Sequence, residues 1–209
     1  MVPKPGGGWG FRISVGKSYT SPQEPNLAAL VSGLRFSSVP EPTRVSYRDY
    51  LWRNAARDAP SAAARPATSR LAFITMFVPA SATKDFAARI LATPAETAGL
   101  LAFGFWPLNV RRFTRPLFKL PSEDVAFGLQ IFRGANADTA AYSELMASNR
   151  AMLERMRAIG GKRYTPFSTY LSPTEWREHF GPEAWRRLSA AKKKFDPNRV
   201  LTPGPNIFG

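Results

Sequence analysis

A single imidazole, His179, and the absence of any cysteine bound the chemistry open to this chain of 209 residues. Disulfides and thiolate metal sites need cysteine, and a Ser/His/Asp triad or an imidazole metal centre needs histidine among placed partners, so one imidazole leaves little room for either. His179 stands in His-Phe-Gly at the end of a helix, where capping carbonyls or packing under Trp176 competes with a role as a base. The acid pairs Glu123-Asp124 and Glu175/Glu178 read as helix-start or surface charges, because the sequence places no second acid to share a proton. Catalysis would need a cofactor or carboxylates. Tyr170, just before a capped helix, reads either as a packing residue with a satisfied hydroxyl or as a site residue.

The charge balance points to a second chemistry. Basic side chains number 29 against 15 acidic ones, a formal charge of +14 that would attract nucleic acid or an acidic membrane face. Lys192-Lys193-Lys194 closes a predicted helix, where cations complement the helix dipole, so a solvated terminus competes with a phosphate clamp. Arg111, Arg112 and Arg115 are interleaved with Phe113 and Phe118, a pattern that could stack on bases, although no known nucleic-acid motif surrounds it. A non-catalytic basic module binding nucleic acid or another anion is therefore the alternative function, with nucleic acid disfavoured. No apolar run approaches the roughly 20 residues that span a bilayer, and Met1 to Gly10 lacks the apolar middle of a secretion signal, so neither a span nor export is expected; no membrane partner is expected, and the cytoplasm is slightly favoured.

The elements that must position these residues alternate between strand and helix. With 44% hydrophobic and 12% aromatic residues the chain can bury a sizeable core. Trp9 to Gly16 alternates Phe11, Ile13 and Val15 with Arg12 and Ser14, predicting a strand with one buried face. Helices are predicted from about Pro25 to Leu34 and over Tyr47 to Arg57, followed by an Ala-, Pro- and Ser-rich loop from Asp58 to Arg70. Leu71 to Val78 is apolar throughout, a strand with both faces covered; Pro79 stops it and Ser81 caps a helix from Ala82 to Ala92.

Gly99 to Trp106 and Asp124 to Phe132 predict two further strands, separated by a Pro- and Arg-rich insertion from Pro107 to Pro121 that could wall a site. The helix from Asp138 to Ile159 carries Leu145, Met152, Met156 and Ile159 on one stripe and ends at Gly160-Gly161. Ser172-Pro173-Thr174-Glu175 is a capping box that opens a helix bearing Trp176 and Phe180. Pro182 opens the last helix, with Trp185, Leu188 and Phe195 near one face. Asp196-Pro197 ends it, and Val200, Leu201, Pro203-Gly204-Pro205 and Ile207-Phe208 form a tail that is tied down. This order predicts an α+β fold, a mixed or antiparallel sheet with helices covering one face.

The carboxyl-terminal stretch HFGPEAWRRLSAAKKKFDPNRVLTPGPNIFG resembles the end of the cytokinin dehydrogenases, FAD-linked oxidases of the vanillyl-alcohol-oxidase type. Further stretches occur in the family's order: GLRFSSVPEPTRVSYRDYLWR from Gly33, LAFITMFVPAS from Leu71, GFWPLN from Gly104, SEDVAFGLQIFRGA from Ser122 and STYLSPTEW from Ser168. The resemblance covers nearly the whole chain and implies the substrate cap and carboxyl-terminal part of such an enzyme. It implies a cap over 1–170 and, over 171–209, helices and a tail that pack on a flavin-binding domain. The Gly-rich flavin loop and the covalently linked histidine of that domain are expected outside this stretch.

By the same resemblance Tyr170 and Asn206 face FAD, while Asp58, Phe73, Leu108, Asn109 and Leu171 contact a small-molecule substrate, an N6-substituted adenine or another amine or alcohol. Phe73 stands where the family has a tryptophan, and core packing explains it equally well. Leu108 and Asn109 line a pocket or end a strand. Pro205 replaces the family's glutamine at the flavin edge, and only Asp58 keeps the acidic charge near the substrate entrance, so the substrate is left open.

Overall fold

The computed structural model describes residues 2–4, 6–37, 41–53, 55, 70–135, 139–165, 169–201 and 206–208. They belong to two units, Met1–Ala67 and Thr68–Gly209. The loop predicted from Asp58 lies outside the described residues up to Arg70, and with it the candidate Asp58.

In the first unit, β1 (Val2–Pro3) pairs antiparallel with β2 (Trp9–Gly10). The strand predicted over Trp9 to Gly16 is corrected: only its first two residues are strand, and Phe11, Ile13 and Val15 are exposed. Alternation alone does not make a strand without a partner ladder, and β1 offers only two residues to pair with. Helix α1 (Leu27–Val31) is shorter than predicted at both ends; Asn26 caps it by accepting from the Ala29 amide at 3.0 Å. Ser46 caps α2 (Tyr47–Trp52) in the same way through the Asp49 amide, and the helix stops short of Arg57. Glu24 holds Arg44 through both carboxylate oxygens, at 2.7 and 2.8 Å.

The second unit is built on a four-stranded antiparallel sheet in the order β4-β5-β3-β6, formed by β3 (Arg70–Pro79), β4 (Leu100–Asn109), β5 (Val125–Ala135) and β6 (Lys162–Arg163). The fold is α+β as expected. Ala72, Ile74, Met76 and Val78 point to one side of β3, and Leu129 and Ile131 of β5 stand opposite Met76 and Ile74, all essentially without exposure. Helix α5 (Thr139–Ala158) closes that side with Leu145, Met152, Leu153 and Met156. Ile159, predicted on the same stripe, is exposed because the helix ends at Ala158 and Gly160 takes a left-handed φ of 77°.

Between β3 and β4 run α3 (Ala80–Ala92), which buries Phe86 and Ile90, and the short α4 (Pro94–Thr97). Ser81 does not cap α3, a second correction: it lies inside the first turn, and its amide and hydroxyl both donate to the carboxylate of Glu123, far along the chain. A carboxylate at a helix N-terminus complements the dipole, and these bonds hold the Glu123 carboxyl below its usual range. Strand β4 runs through Pro107 to Asn109, so the predicted insertion begins only with the 3₁₀ turn Val110–Arg112.

Helices α6 (Pro173–Phe180) and α7 (Pro182–Phe195) follow. The capping box is present as read, with Ser172 and Glu175 bonded reciprocally, and Trp176 and Phe180 are buried. On α7 Trp185 and Leu188 are half-buried, but Phe195 is exposed, a correction to its place on that face. The tail is tied down by polar bonds, since Val200 and Leu201 are exposed: Asp196 accepts from both their amides, and Lys192 bridges Asp196 and the Leu201 carbonyl. Phe208 then packs on Trp185 with ring centres 5.4 Å apart.

Candidate functional site

Strand geometry sends alternate side chains to opposite faces, so the face of the sheet away from α5 is read directly from the register. It carries Phe73, Thr75 and Phe77 of β3, opposite Phe132, Gln130 and Gly128 of β5; Trp106 and Leu108 of β4 stand opposite Gly128 and Ala126. Phe73 and Phe132 stack at 5.8 Å. Trp106 lies flat over Gly128, where an added Cβ would come within 2.2 Å of the indole. Glycine there lets the ring rest on the backbone. Beside these rings Gln130 donates through Nε2 to the Thr75 hydroxyl at 3.2 Å.

One end of this face is closed. Phe118, from the chain between β4 and β5, packs on Phe77 at 5.2 Å and on Phe113 at the same distance, and Tyr164 meets both Phe77 and Phe118 edge-on. Phe77 and Thr75 are buried, whereas Phe73, Phe132, Trp106 and Leu108 are half-buried. The result is an aromatic surface with one amide and one hydroxyl set into it. Such a surface can take a planar ring by stacking and read its polar edge by hydrogen bonds.

Phe73 and Leu108 thus share one face. Asn109 falls on the opposite register at the exposed end of β4. Leu171 is 4% exposed and packs in the core bordered by Leu153 and Met156, while its neighbour Tyr170 is 71% exposed. Asn206 is exposed with a left-handed φ of 51° beside the Phe208 anchor. Sequence reading missed Thr75, Trp106, Gln130 and Phe132. Gln130, the lone amide in a strand whose only other polar side chain is Arg133, was the available signal, as was Trp106 within GFWPLN.

His179 packs edge-on against Trp176 at 5.7 Å. Burial, and then the charges of Arg163, Lys162, Lys119 and Arg157, push its imidazole down to about 3, so it is neutral and half-buried against Trp176. Of the basic cluster, Arg111 is paired with Asp124 through two bonds. Among the described residues no group of three or more His, Asp or Glu could hold a metal ion, and no helix is long and apolar enough to cross a membrane.

Residues 11–208 match the family model described as cytokinin dehydrogenase 1, FAD and cytokinin binding. An uncharacterized oxidoreductase of the fasciation locus of Rhodococcoides fascians is 29% identical over 93% of this chain and 44% of its own length. Cytokinin dehydrogenase 7 of Oryza sativa subsp. japonica is 31% identical over 65% of the chain and 26% of its own length. Cytokinin dehydrogenase 8 of Oryza sativa subsp. indica is 37% identical over 35% of the chain and 15% of its own length. The chain spans less than half the length of these relatives. With a match that runs almost from end to end, the chain belongs to the family of cytokinin dehydrogenase FAD- and cytokinin-binding domains.

Proposed function

We propose that this chain is the substrate-covering and carboxyl-terminal part of an FAD-dependent oxidoreductase that oxidises an amine or alcohol, with N6-substituted adenines as the leading substrate class. The observation that carries the reading is the face of the sheet away from α5, where Phe73, Phe132 and Trp106 present rings around the Thr75–Gln130 pair. An adenine is planar and edged with donors and acceptors, so rings that stack and an amide that both donates and accepts suit it. The relatives named as cytokinin dehydrogenases support the same class.

In this reading Phe73, Leu108 and Trp106 form the apolar wall, Gln130 orients the substrate, and Tyr170 and Asn206 face the flavin. When bound, FAD supplies the acceptor for a hydride leaving the carbon next to nitrogen or oxygen, and the accompanying N–H or O–H proton passes to water. The residues here orient the substrate. Residues 171–209 pack on a flavin-binding domain, which supplies the phosphate-binding loop. The exposed ring of Tyr170 and the largely aromatic sheet face fit a planar partner.

Coexpression with a flavin-binding domain of the family tests the proposal. Anaerobic addition of N6-substituted adenines should bleach the flavin, more readily than other amines or alcohols do, and the 209-residue chain by itself should purify without flavin. A flavin that no member of such a panel reduces would overturn the oxidase reading. Stoichiometric flavin on the isolated chain would overturn the division of labour.

A further inference from the structure

Tyr170 stands out because everything next to it is fixed. On its amino-terminal side Arg163, with 4% exposure, donates through Nη1 to the Thr169 carbonyl at 3.1 Å, and through Nη2 and Nε to the carbonyls of Thr165 and Tyr164 at 3.4 Å. The guanidinium is held in turn over the Trp176 ring, 4.6 Å from its centre, and its strand position is set by pairing with Met76. On the carboxyl-terminal side Leu171 is buried, and the Ser172 amide donates to Glu175 at 2.8 Å. The other oxygen of Glu175 takes Arg150 and, at 3.2 Å, Arg157, both from α5. Arg150 also reaches the Tyr170 carbonyl at 3.5 Å.

A helix cap alone needs only Ser172 and the N3 carboxylate. Burying a guanidinium costs desolvation, and an apolar residue of similar volume would serve stability as well or better. The arrangement gains something else: it clamps the backbone on both sides of one residue and leaves that residue's ring in the open. An aromatic side chain with its backbone so held has only two torsions left to order when a partner arrives.

We propose that Arg163 and Glu175 are positioning residues for Tyr170, fixing the angle at which its ring meets the flavin-bearing partner; the inference rests on the reading of Tyr170 given above. They act through the backbone and touch neither substrate nor flavin.

The test uses the full chain labelled with 3-fluorotyrosine, in which the Tyr170 signal among the six tyrosines is identified by Tyr170→Phe. Glu175→Gln keeps an N3 side chain able to complete the cap but removes the charge that gathers Arg150 and Arg157. Arg163→Lys keeps the charge but loses the fork. Each should shift and broaden the Tyr170 fluorine signal while those of Tyr19, Tyr47, Tyr50 and Tyr142 stay in place. A Tyr170 signal unmoved in both variants overturns the proposal, and if Arg163→Lys fails to fold, Glu175→Gln decides by the same criterion.

In the enzyme assembled with a flavin-binding domain, Glu175→Gln should lower kcat about tenfold with KM little changed, since misplacement by an ångström is felt mainly in the reacting geometry. An unchanged kcat beside a Tyr170→Phe variant that is impaired overturns the positioning role. If Tyr170→Phe itself is kinetically silent, the reading of Tyr170 as a site residue is what fails, and the fluorine spectra still judge the clamp.

Discussion

Arg133 on β5 donates to the side-chain oxygen of Asn149 on α5, and neither residue has any exposed surface. The same guanidinium reaches the carbonyls of Leu145 and Ala95 at 2.9 and 2.8 Å and the Ser148 hydroxyl at 3.1 Å, so one buried cation ties the sheet to α5 and α4. Burial pushes it down to about 10, partly offset by Glu96, and it stays charged. Removing an acceptor from a buried cation leaves its donor unsatisfied. Asn149→Ala should therefore cost about 1–3 kcal/mol in a urea titration. Arg133→Lys should cost more, because an ammonium cannot span four acceptors on two helices. Equal stability of the two variants would show that the fork is not what holds the helix.

His179 makes a pH prediction whose sign is fixed by its direction of shift. Its imidazole titrates at about 3 in the fold against an ordinary 6.5, because burial and the cations around it oppose protonation. Between these values the unfolded chain binds more protons, so the contribution of His179 is full above pH 6.5 and declines as pH falls toward 3. At pH 5 the loss is about 2 kcal/mol relative to neutral pH. Glu175, which burial alone would raise but which Arg150 and Ser172 bring down to about 2, loses its own contribution only in stronger acid. His179→Phe should flatten the stability profile from pH 7 to 5; an unchanged slope would place its cause elsewhere.

Gly128 ties the aromatic face to the sheet. A methyl group added there meets the Trp106 indole at 2.2 to 2.6 Å, so the ring must lift. Gly128→Ala should cost about 1–3 kcal/mol from overpacking and shift the tryptophan emission to the red as Trp106 enters water. In an assembled enzyme the same variant should raise KM for a planar substrate. Retained emission and stability would mean that the indole does not rest on the strand.

Several elements were legible because local rules and tertiary packing agree. Leu71 to Val78 is apolar at every position but Thr75, and it became an interior strand; the Ser172 to Glu175 pattern became the capping box it spelled. The same uniformity hid the site. On a strand apolar on both faces, alternation cannot say which side α5 covers, so Phe73 read equally as core or wall until the register with Phe132 fixed its side. Charges misled in another way. Arg133 is buried by acceptors distant in sequence, and Glu123 finds Ser81 across 42 residues, contacts that no window of local sequence contains. Phe11, Ile13 and Val15 had the alternation of a strand, but the β1–β2 ladder reaches only Trp9 and Gly10.

Tyr170 gives the sharpest separation between site and scaffold. Its ring is 71% exposed, so removing the hydroxyl leaves no buried group unsatisfied, and Tyr170→Phe should leave the melting temperature of the chain nearly unchanged. If the hydroxyl meets flavin or substrate in an assembled enzyme, the same change should lower kcat or raise KM about tenfold, the loss of one hydrogen bond made in the closed site. Leu171→Ala is the control from the adjacent position: its side chain is in the core, so it should lose about 2–5 kcal/mol of stability. Kinetics untouched in Tyr170→Phe, together with a clear drop in its melting temperature, would return the residue to the scaffold.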